Sequence, residues 1–195
     1  MTKKAKIDLP VKLFTHQRAW ETWLGKHFDS SAGLWVRIGK KGTDIQSVTY
    51  QEALESALCY GWIDGQKKTF DDKTWLQRFT PRGPKSIWSK INRAKALELI
   101  KLGRMRKPGL VAIETAKENG RWDAAYDSHR TASPPLDFKK SLSKNPKAKA
   151  FFATLNSQNR YSILFRIQTA KKAETRKDRI NKFVRMLEMH GKLYP

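Results

Sequence analysis

The segment Pro81-Arg82-Gly83-Pro84 divides this chain into two parts with different hydrophobic patterns, and it constrains the fold more than any other feature. Proline lacks the amide proton that helices and sheets use, and glycine favours turns, so we expect no regular element to cross the segment. Before the break, helical and alternating periodicities follow one another, whereas the periodic segments beyond it are nearly all helical. We therefore predict a mixed region followed by a helical region.

The region before the break has the pattern of two helices and one early strand. A helix capped by Thr15 is predicted to run to about residue 27, and the capping box Thr49-Tyr50-Gln51-Glu52 begins a second helix. Between them, the aliphatic residues Leu34, Val36 and Ile38 alternate with Trp35 and Arg37, as in a strand with one buried face. Residues 1–14 are predicted to be an extended, partly disordered lead-in.

Residues 62–80 are predicted to form a hairpin. Two strand-like runs flank Asp71-Asp72, and aspartate favours tight turns. Asp64-Gly65 also suits a tight turn, but we favour a bulge at Gly65 with the turn at Asp71-Asp72. With residues 34–38, this gives a small antiparallel sheet of about three strands.

The region beyond the break is predicted to be helical. The predicted helices run from Ser86 or Ser89 to Gly103, through Pro108 to Gly120, over residues 137–143, from Asn145-Pro146, from a cap at Ser157, and over residues 174–190. Residues 123–135 are predicted to be an internal linker. The predicted fold is α+β: a small antiparallel sheet with flanking helices, followed by a basic α-helical bundle. Regions 15–125 and 136–195 are expected to pack as one compact unit.

The charge of the chain is unevenly distributed. The 195 residues include 40 Lys and Arg against 18 Asp and Glu, a net charge of +22. Residues 1–80 carry 13 basic and 9 acidic side chains, residues 81–130 carry 12 and 5, and residues 131–195 carry 15 and 4. Such an excess predicts an anionic partner: nucleic acid, a phosphorylated ligand or an anionic surface. The alternative is a solvated, lysine-rich surface that only aids solubility.

Several classes of protein are excluded or disfavoured by the remaining patterns. One cysteine, Cys59, excludes an intramolecular disulfide framework and a cysteine-based zinc knuckle. The four histidines are dispersed, and no Walker, zincin or Gly-x-Ser-x-Gly motif is present, so we expect no metal or cofactor and predict no catalytic residue. No apolar run is long enough for a transmembrane helix, and no secretory leader is recognised, which predicts a cytoplasmic protein.

Eight short sequence blocks, spread in order along residues 15–195, together form a distinctive pattern. They are Gly61–Gln66, Leu76–Arg82, Trp88–Lys90, Gly120–Tyr126, Ser157–Tyr161, Arg166–Lys171, Glu174–Arg176 and Arg179-Ile180. Together they resemble the YdeI/OmpD-associated, or bacteriocin-protection, family. The resemblance implies a link to resistance against bacteriocins and cationic antimicrobial peptides, and to an outer-membrane porin. It implies no catalytic residues.

A first candidate anion-binding set interleaves cations with an aromatic residue around the break. Its members are Arg78, Arg82, Lys85, Trp88, Lys90 and Arg93. Arginine binds phosphate bidentately, a helix N-terminus supplies free amides, and an aromatic ring can stack a base. In the structural alternative, Arg78 and Arg82 pair with nearby aspartates of the hairpin, and Trp88 fills the core.

A second candidate set lies near the C-terminus. Its basic members are Arg160, Arg166, Lys171, Arg179, Lys182 and Arg185, and a candidate pocket comprises Asp64, Gln158, Asn159 and Gln168. In the last predicted helix, the apolar residues share one stripe while Arg179, Lys182 and Arg185 face away from it. In the structural alternative, Asn159 and Gln168 are satisfied amides that fix helix packing.

Three function classes fit these observations. The leading one is a non-enzymatic basic protein that binds anionic partners and shields, or competes for, the anionic targets of cationic peptides. The second is a nucleic-acid-binding protein that contacts the backbone through residues 82–107 and the last helix. The third is a small-molecule binder or enzyme with a site near Asp64, Arg78 and Trp88. The identity of the ligand and the oligomeric state stay open at this point.

Overall fold

The computed structural model describes residues 8–195, and this range contains eight helices and four strands. In chain order they are β1 (Val11–Leu13), α1 (Gln17–His27), β2 (Leu34–Gly39), α2 (Tyr50–Cys59), β3 (Trp62–Thr69), β4 (Thr74–Pro81), α3 (Lys90–Lys101), α4 (Lys107–Glu118), α5 (Leu136–Ser143), α6 (Pro146–Thr154), α7 (Ser157–Gln168) and α8 (Ala173–Glu188). The predicted α+β class is confirmed.

The four strands form one mixed sheet in the order β1-β2-β4-β3. Strand β4 is antiparallel to both β2 and β3, which confirms the three predicted antiparallel strands. Strand β1 adds a parallel edge to β2, within the segment that was predicted to be an extended lead-in. Val11-Lys12-Leu13 alternates apolar and polar residues, but a run of three is too short for this pattern to predict a strand, and all three residues are exposed. Residues 1–7 of that lead-in lie outside the described residues.

The hairpin has the predicted turn and the predicted bulge. The register between β3 and β4 shifts between Asp64 and Lys67, around Gly65. The buried side chain of Gln77 donates from Nε2 to the carbonyl oxygens of Gly65 and Gln66, at 3.0 and 3.3 Å. Those hydrogen bonds satisfy carbonyls that the irregular ladder leaves unpaired, which explains how the bulge is accommodated.

Helices α1 and α2 cover one face of the sheet and build the first core. Trp20 of α1 and the β2 residues Leu34 and Val36 are fully buried in this core. The predicted capping box at the start of α2 is confirmed. Helix α1 is capped one residue later than predicted, because the His16 side chain, rather than Thr15, accepts a hydrogen bond from the amide of Ala19.

The chain forms two compact units that are interleaved along the sequence. The first comprises the described residues up to Ile87 together with Asn92–Asp123, and the second comprises Trp88–Ile91 together with Ala124–Pro195. Helix α3 starts at Lys90, later than Ser86 and close to Ser89, the two predicted starts. Tyr126 accounts for this start: its amide donates to Trp88 and its carbonyl accepts from Lys90, which holds residues 88–90 in a bridge.

The second unit packs α5 to α8 around a core of its own. Fully buried Phe138, Ile163, Ile167 and Leu187 lie at its centre. The cap that Asn145 provides for α6 is confirmed by its hydrogen bond with the amide of Ala148. The cap of α7 was misplaced by one residue. Asn156, not Ser157, accepts from the helix amide at the third position.

Candidate anion-binding surface

Helix α8 separates an apolar stripe from a basic face. Ile180, Phe183 and Leu187 are buried in the core of the second unit, whereas Lys182 and Arg185 are exposed. The helical repeat places these two cations one turn apart on the solvent side. Asp178 and Asn181 join them around a shallow groove of about 330 Å³. We call the four groove-lining residues the α8 face.

The α8 face keeps a positive charge because its cations have no ion-pair partner within the described chain. The ion pairs of the second unit join Lys90 to Asp127 at 2.7 Å and Arg176 to Asp137 at 2.6 Å. Neither Lys182 nor Arg185 has a carboxylate within 4.0 Å among residues 8–195. Two cations and one carboxylate, Asp178, therefore line the groove.

Three other predicted basic residues of this unit already donate hydrogen bonds to protein acceptors. Arg160 donates to the carbonyl of Ala153 at 2.9 Å, and Arg179 donates to the carbonyl of Arg166. Arg166 itself donates to the hydroxyl of Tyr194 at 3.3 Å. Such bonds fix each guanidinium in place, so these residues are less available to a ligand than the α8 face. Lys171, the remaining member of the predicted set, is exposed.

The predicted polar residues Asn159 and Gln168 already have protein partners. Asn159 Oδ1 accepts from the amides of Leu193 and Tyr194, at 2.9 and 3.0 Å, and its Nδ2 donates to the carbonyl of Tyr194. Gln168 Oε1 accepts from the amide of Asp127, and its Nε2 donates to that aspartate's carboxylate. Both amides therefore have the packing role described in the structural alternative. Gln158 is exposed.

The predicted residues around the break are divided between the two units. Within the first unit, Arg82 donates to the carbonyl of Ile87 at 3.2 Å, and Arg93 donates to the carbonyl of Trp122 at 3.1 Å. Lys85 is exposed. In the second unit, Trp88 is buried and Lys90 forms the ion pair with Asp127 described above.

Asp64 and Arg78 point to opposite faces of the sheet. Asp64 pairs with buried Phe79 in the ladder and accepts from the Tyr50 hydroxyl at 2.9 Å, on the face that the helices cover. Arg78 is the next residue along β4, and successive strand residues alternate between faces. The structure therefore does not bring this carboxylate and this guanidinium into one site. The hairpin aspartate Asp71 pairs with Arg37, at 2.7 Å.

A cluster of aromatic and basic side chains on the sheet was not among the predicted sites. The Lys68 ammonium lies 4.3 Å from the centre of the Trp35 ring, and the Arg37 guanidinium lies 4.8 Å from that of Phe70. The alternation in residues 34–38 already placed Trp35 and Arg37 on one side of β2. The side chains they meet come from another strand and its turn, so only the sheet register reveals the cluster.

Among the described residues we also looked for a reactive thiol, a metal site and a membrane-spanning helix. Burial raises the pKa of the Cys59 thiol to about 11, so this thiol is protonated at neutral pH and does not act as a thiolate nucleophile. Within residues 8–195, no three histidine, cysteine or acidic side chains are grouped as a metal site requires. No helix of that same range has the length and apolar character needed to cross a membrane.

Two family models match the chain in succession. Residues 12–112 match the one described as Domain of unknown function (DUF8412), and residues 131–190 match the one described as Bacteriocin-protection, YdeI or OmpD-Associated. The second match confirms the resemblance, although it covers only the C-terminal part of the blocks quoted above. No curated protein and no solved structure shows significant similarity to the chain. The chain therefore belongs to the DUF8412 family, whose model matches more than half of it, and residues 131–190 are similar to the YdeI/OmpD-associated family.

Proposed function

We propose that this protein acts in the cytoplasm as a binding protein for anionic polymers or surfaces, with the α8 face as the contact. The observation that supports the proposal is the exposure of Lys182 and Arg185 without a carboxylate partner, opposite a buried apolar stripe. Because the stripe anchors the helix in the core, the cations are held on a rigid element. The backbone that carries the two cations is therefore already ordered before a phosphate binds, and only the side chains have to be ordered on binding.

The charge of the C-terminal region favours an extended anionic partner over a small one. Residues 131–195 carry 15 basic against 4 acidic side chains, and one of those acids, Asp137, is already paired with Arg176. A groove lined by two cations offers little enclosure for a metabolite, whereas a polymer can use the surrounding lysines as well. Binding would then gain free energy from the release of condensed counterions.

This binding activity would explain bacteriocin protection, the phenotype after which the family is named. It does not require the protein to capture the bacteriocin. A protein of net charge +22 repels a cationic peptide, so it is ill suited to sequester one. It can instead occupy the anionic targets that the peptide would reach. We infer that protection works through this competition.

The test measures binding of fluorescently labelled inorganic polyphosphate over a range of NaCl concentrations. In the double variant Lys182→Ala/Arg185→Ala, we expect the slope of log affinity against log salt to become shallower by about 2, because each phosphate-contacting cation contributes about one. The matched control is Lys147→Ala/Lys149→Ala, which removes the same charge from exposed positions of α6. We expect the control to keep the original slope.

Two results would contradict the proposal. Equal changes of slope in the two double variants would mean that the charge acts diffusely and that the α8 face is not a site. Failure of the unmodified protein to bind polyphosphate at low salt would remove the proposed function altogether.

A further inference from the structure

The sheet of the first unit has a second face, opposite the one that α1 and α2 cover. The ladder aligns Leu13, Arg37, Leu76 and Lys68 in one row across the four strands. The neighbouring row contains Val11, Trp35 and Arg78. We call these seven residues, together with Phe70 after the end of β3, the outer sheet face.

The outer sheet face presents apolar and aromatic surface to solvent except at its centre, where Leu76 is buried. Val11, Leu13 and Phe70 are 44%, 39% and 49% exposed, and Trp35 is partly exposed. Large apolar side chains that lie exposed together on one surface are uncommon unless they meet a partner. The Trp35 and Phe70 rings each carry a cation over one side, Lys68 at 4.3 Å and Arg37 at 4.8 Å.

The charge of this face is positive. It holds three cations, Arg37, Lys68 and Arg78, and the adjoining carboxylate Asp71 is already bound to Arg37 at 2.7 Å. Arg78 Nε is buried beside Gly65 and has no hydrogen-bond partner among the described residues. Lys68 and Arg78 thus lack a carboxylate partner within the described chain. A partner that suits the face must be anionic and must also offer flat rings.

We propose that the outer sheet face binds single-stranded nucleic acid, with bases stacked on Trp35 and Phe70 and phosphates held by Lys68 and Arg78. Unpaired bases expose the planar surfaces that an aromatic ring can stack, whereas a duplex hides them. The charge complementarity favours this partner over an apolar protein surface. The site consists of residues of the first unit and shares no residue with the α8 face of the second unit.

The cation over each ring is compatible with this use. An exposed ammonium gains little from a ring, because water competes for its charge, whereas a base that stacks there removes more surface from water. Lys68 is exposed and its long side chain can turn aside. When a base stacks on Trp35, the displaced Lys68 ammonium can contact the phosphate of the same nucleotide.

Strand β3 supplies a matched pair of lysines for the test. Lys67 and Lys68 are neighbours, both are exposed, and both lie over a tryptophan, Trp75 at 4.2 Å and Trp35 at 4.3 Å. Because side chains alternate along a strand, only Lys68 is on the outer sheet face. Loss of one charge from either position changes the long-range field alike, and only the local contact differs.

The experiment titrates short fluorescein-labelled oligothymidylate and oligouridylate with the full-length protein or a variant. The fluorescence anisotropy of the label gives the binding affinity. Lys68→Ala should weaken binding at least about threefold, and Lys67→Ala should leave it within about twofold. Trp35→Ala should weaken binding at least about fivefold, whereas Trp35→Phe, which keeps a stacking ring, should retain most of it. Circular dichroism confirms that each variant is folded.

An abasic oligomer of the same length separates this site from the α8 face. It keeps the phosphates but not the bases, so Trp35→Ala should not change its binding, whereas Lys182→Ala/Arg185→Ala should still weaken it. Equal effects of Lys67→Ala and Lys68→Ala, or equal affinity for the abasic and the complete oligomer, would overturn the inference while leaving the proposed function intact. So would binding of an acidic peptide, but of no oligonucleotide, at the outer sheet face.

Discussion

Asn159 shows how one buried side chain can order a chain terminus. It is fully buried, yet its amide group exchanges hydrogen bonds with the backbone of Leu193 and Tyr194, and the Asn156 side chain accepts another from its Nδ2. Buried polar groups are tolerated only when they are satisfied in this way. The hydrogen bonds therefore join the start of α7 to the last residues of the protein.

Replacing Asn159 with alanine should lower the free energy of unfolding by about 2–3 kcal/mol, because two backbone amides lose their acceptor while they remain partly buried. Urea denaturation measures the change. The exposed neighbour Gln158 provides the control, and Gln158→Ala should stay within about 0.5 kcal/mol of the unmodified protein. Equal losses in both variants would refute the anchoring role of Asn159.

Asp127 should contribute to the pH dependence of stability. A hydrogen bond from Lys90 holds the pKa of this carboxyl below its ordinary value of 3.8, with a further hydrogen bond from Gln168. The resulting stabilisation is present above pH 3.8 and is lost as the pH falls through the folded-state pKa.

We expect Asp127→Asn to make the decline of unfolding free energy below that pH shallower than in the unmodified protein. Urea titrations at several acidic pH values measure the slope. Exposed Asp123 is the control, and Asp123→Asn should leave the slope unchanged. An unaltered slope in the Asp127 variant would show that its carboxylate is not one of the groups responsible.

At the scale of the helices and strands, Gly109 shows how closely α4 approaches α2. A Cβ atom at this position would meet the backbone carbonyl oxygens of Cys59 and Leu58, together with the sulfur of Met105. Backbone atoms at the end of a helix cannot withdraw as a flexible side chain can. Glycine at this point of α4 therefore permits a contact that any other residue would obstruct.

Gly109→Ala should destabilise the protein by about 1–3 kcal/mol, because the overlap with fixed carbonyls outweighs the better helix propensity of alanine. Thermal denaturation gives the result. Gly83 has nothing within 4 Å of its ideal Cβ position, so Gly83→Ala should be neutral or stabilising by up to about 1 kcal/mol. A Gly109 variant as stable as the Gly83 variant would disprove the close contact.

Local chemistry explains which elements could be predicted from the sequence. The capping box of α2 and the Asn145 cap each depend on residues a few positions apart, and the bulge was predicted from the turn-forming pair Asp64-Gly65; all three are present. Strand β1 and the start of α3 depend on distant partners, on β2 and on Tyr126 respectively. The pattern of a single segment contains no information about such partners.

The same distinction applies to the candidate sites. The basic face of α8 follows from a helical repeat, so Lys182 and Arg185 were identified from the sequence and lie exposed in the structure. The outer sheet face depends on strand order and register, which bring Lys68 over Trp35. Residue spacing alone could not reveal that pairing, because the two residues are on non-adjacent strands.

At the scale of the whole molecule, the net charge of +22 favours binding to the anionic target of a cationic peptide over binding to the peptide itself. Mixed with a cationic antimicrobial peptide at low salt, the protein should give no heat of binding in titration calorimetry, because like charges repel. Anionic vesicles incubated with the protein beforehand should leak less when the peptide is added. Direct binding of the peptide, or undiminished leakage, would contradict protection by competition for the target.

The interleaving of the two units has a consequence for how the C-terminal region can be transferred between proteins during evolution. Trp88–Ile91 belongs to the second unit, yet these residues lie inside the stretch that matches the first family. A gene fragment that encoded only residues 124–195 would leave Tyr126 without the backbone it bridges at residues 88–90. Transfer of the region from residue 124 onward therefore breaks the two backbone hydrogen bonds that Tyr126 makes with Trp88 and Lys90, unless the recipient supplies an equivalent segment.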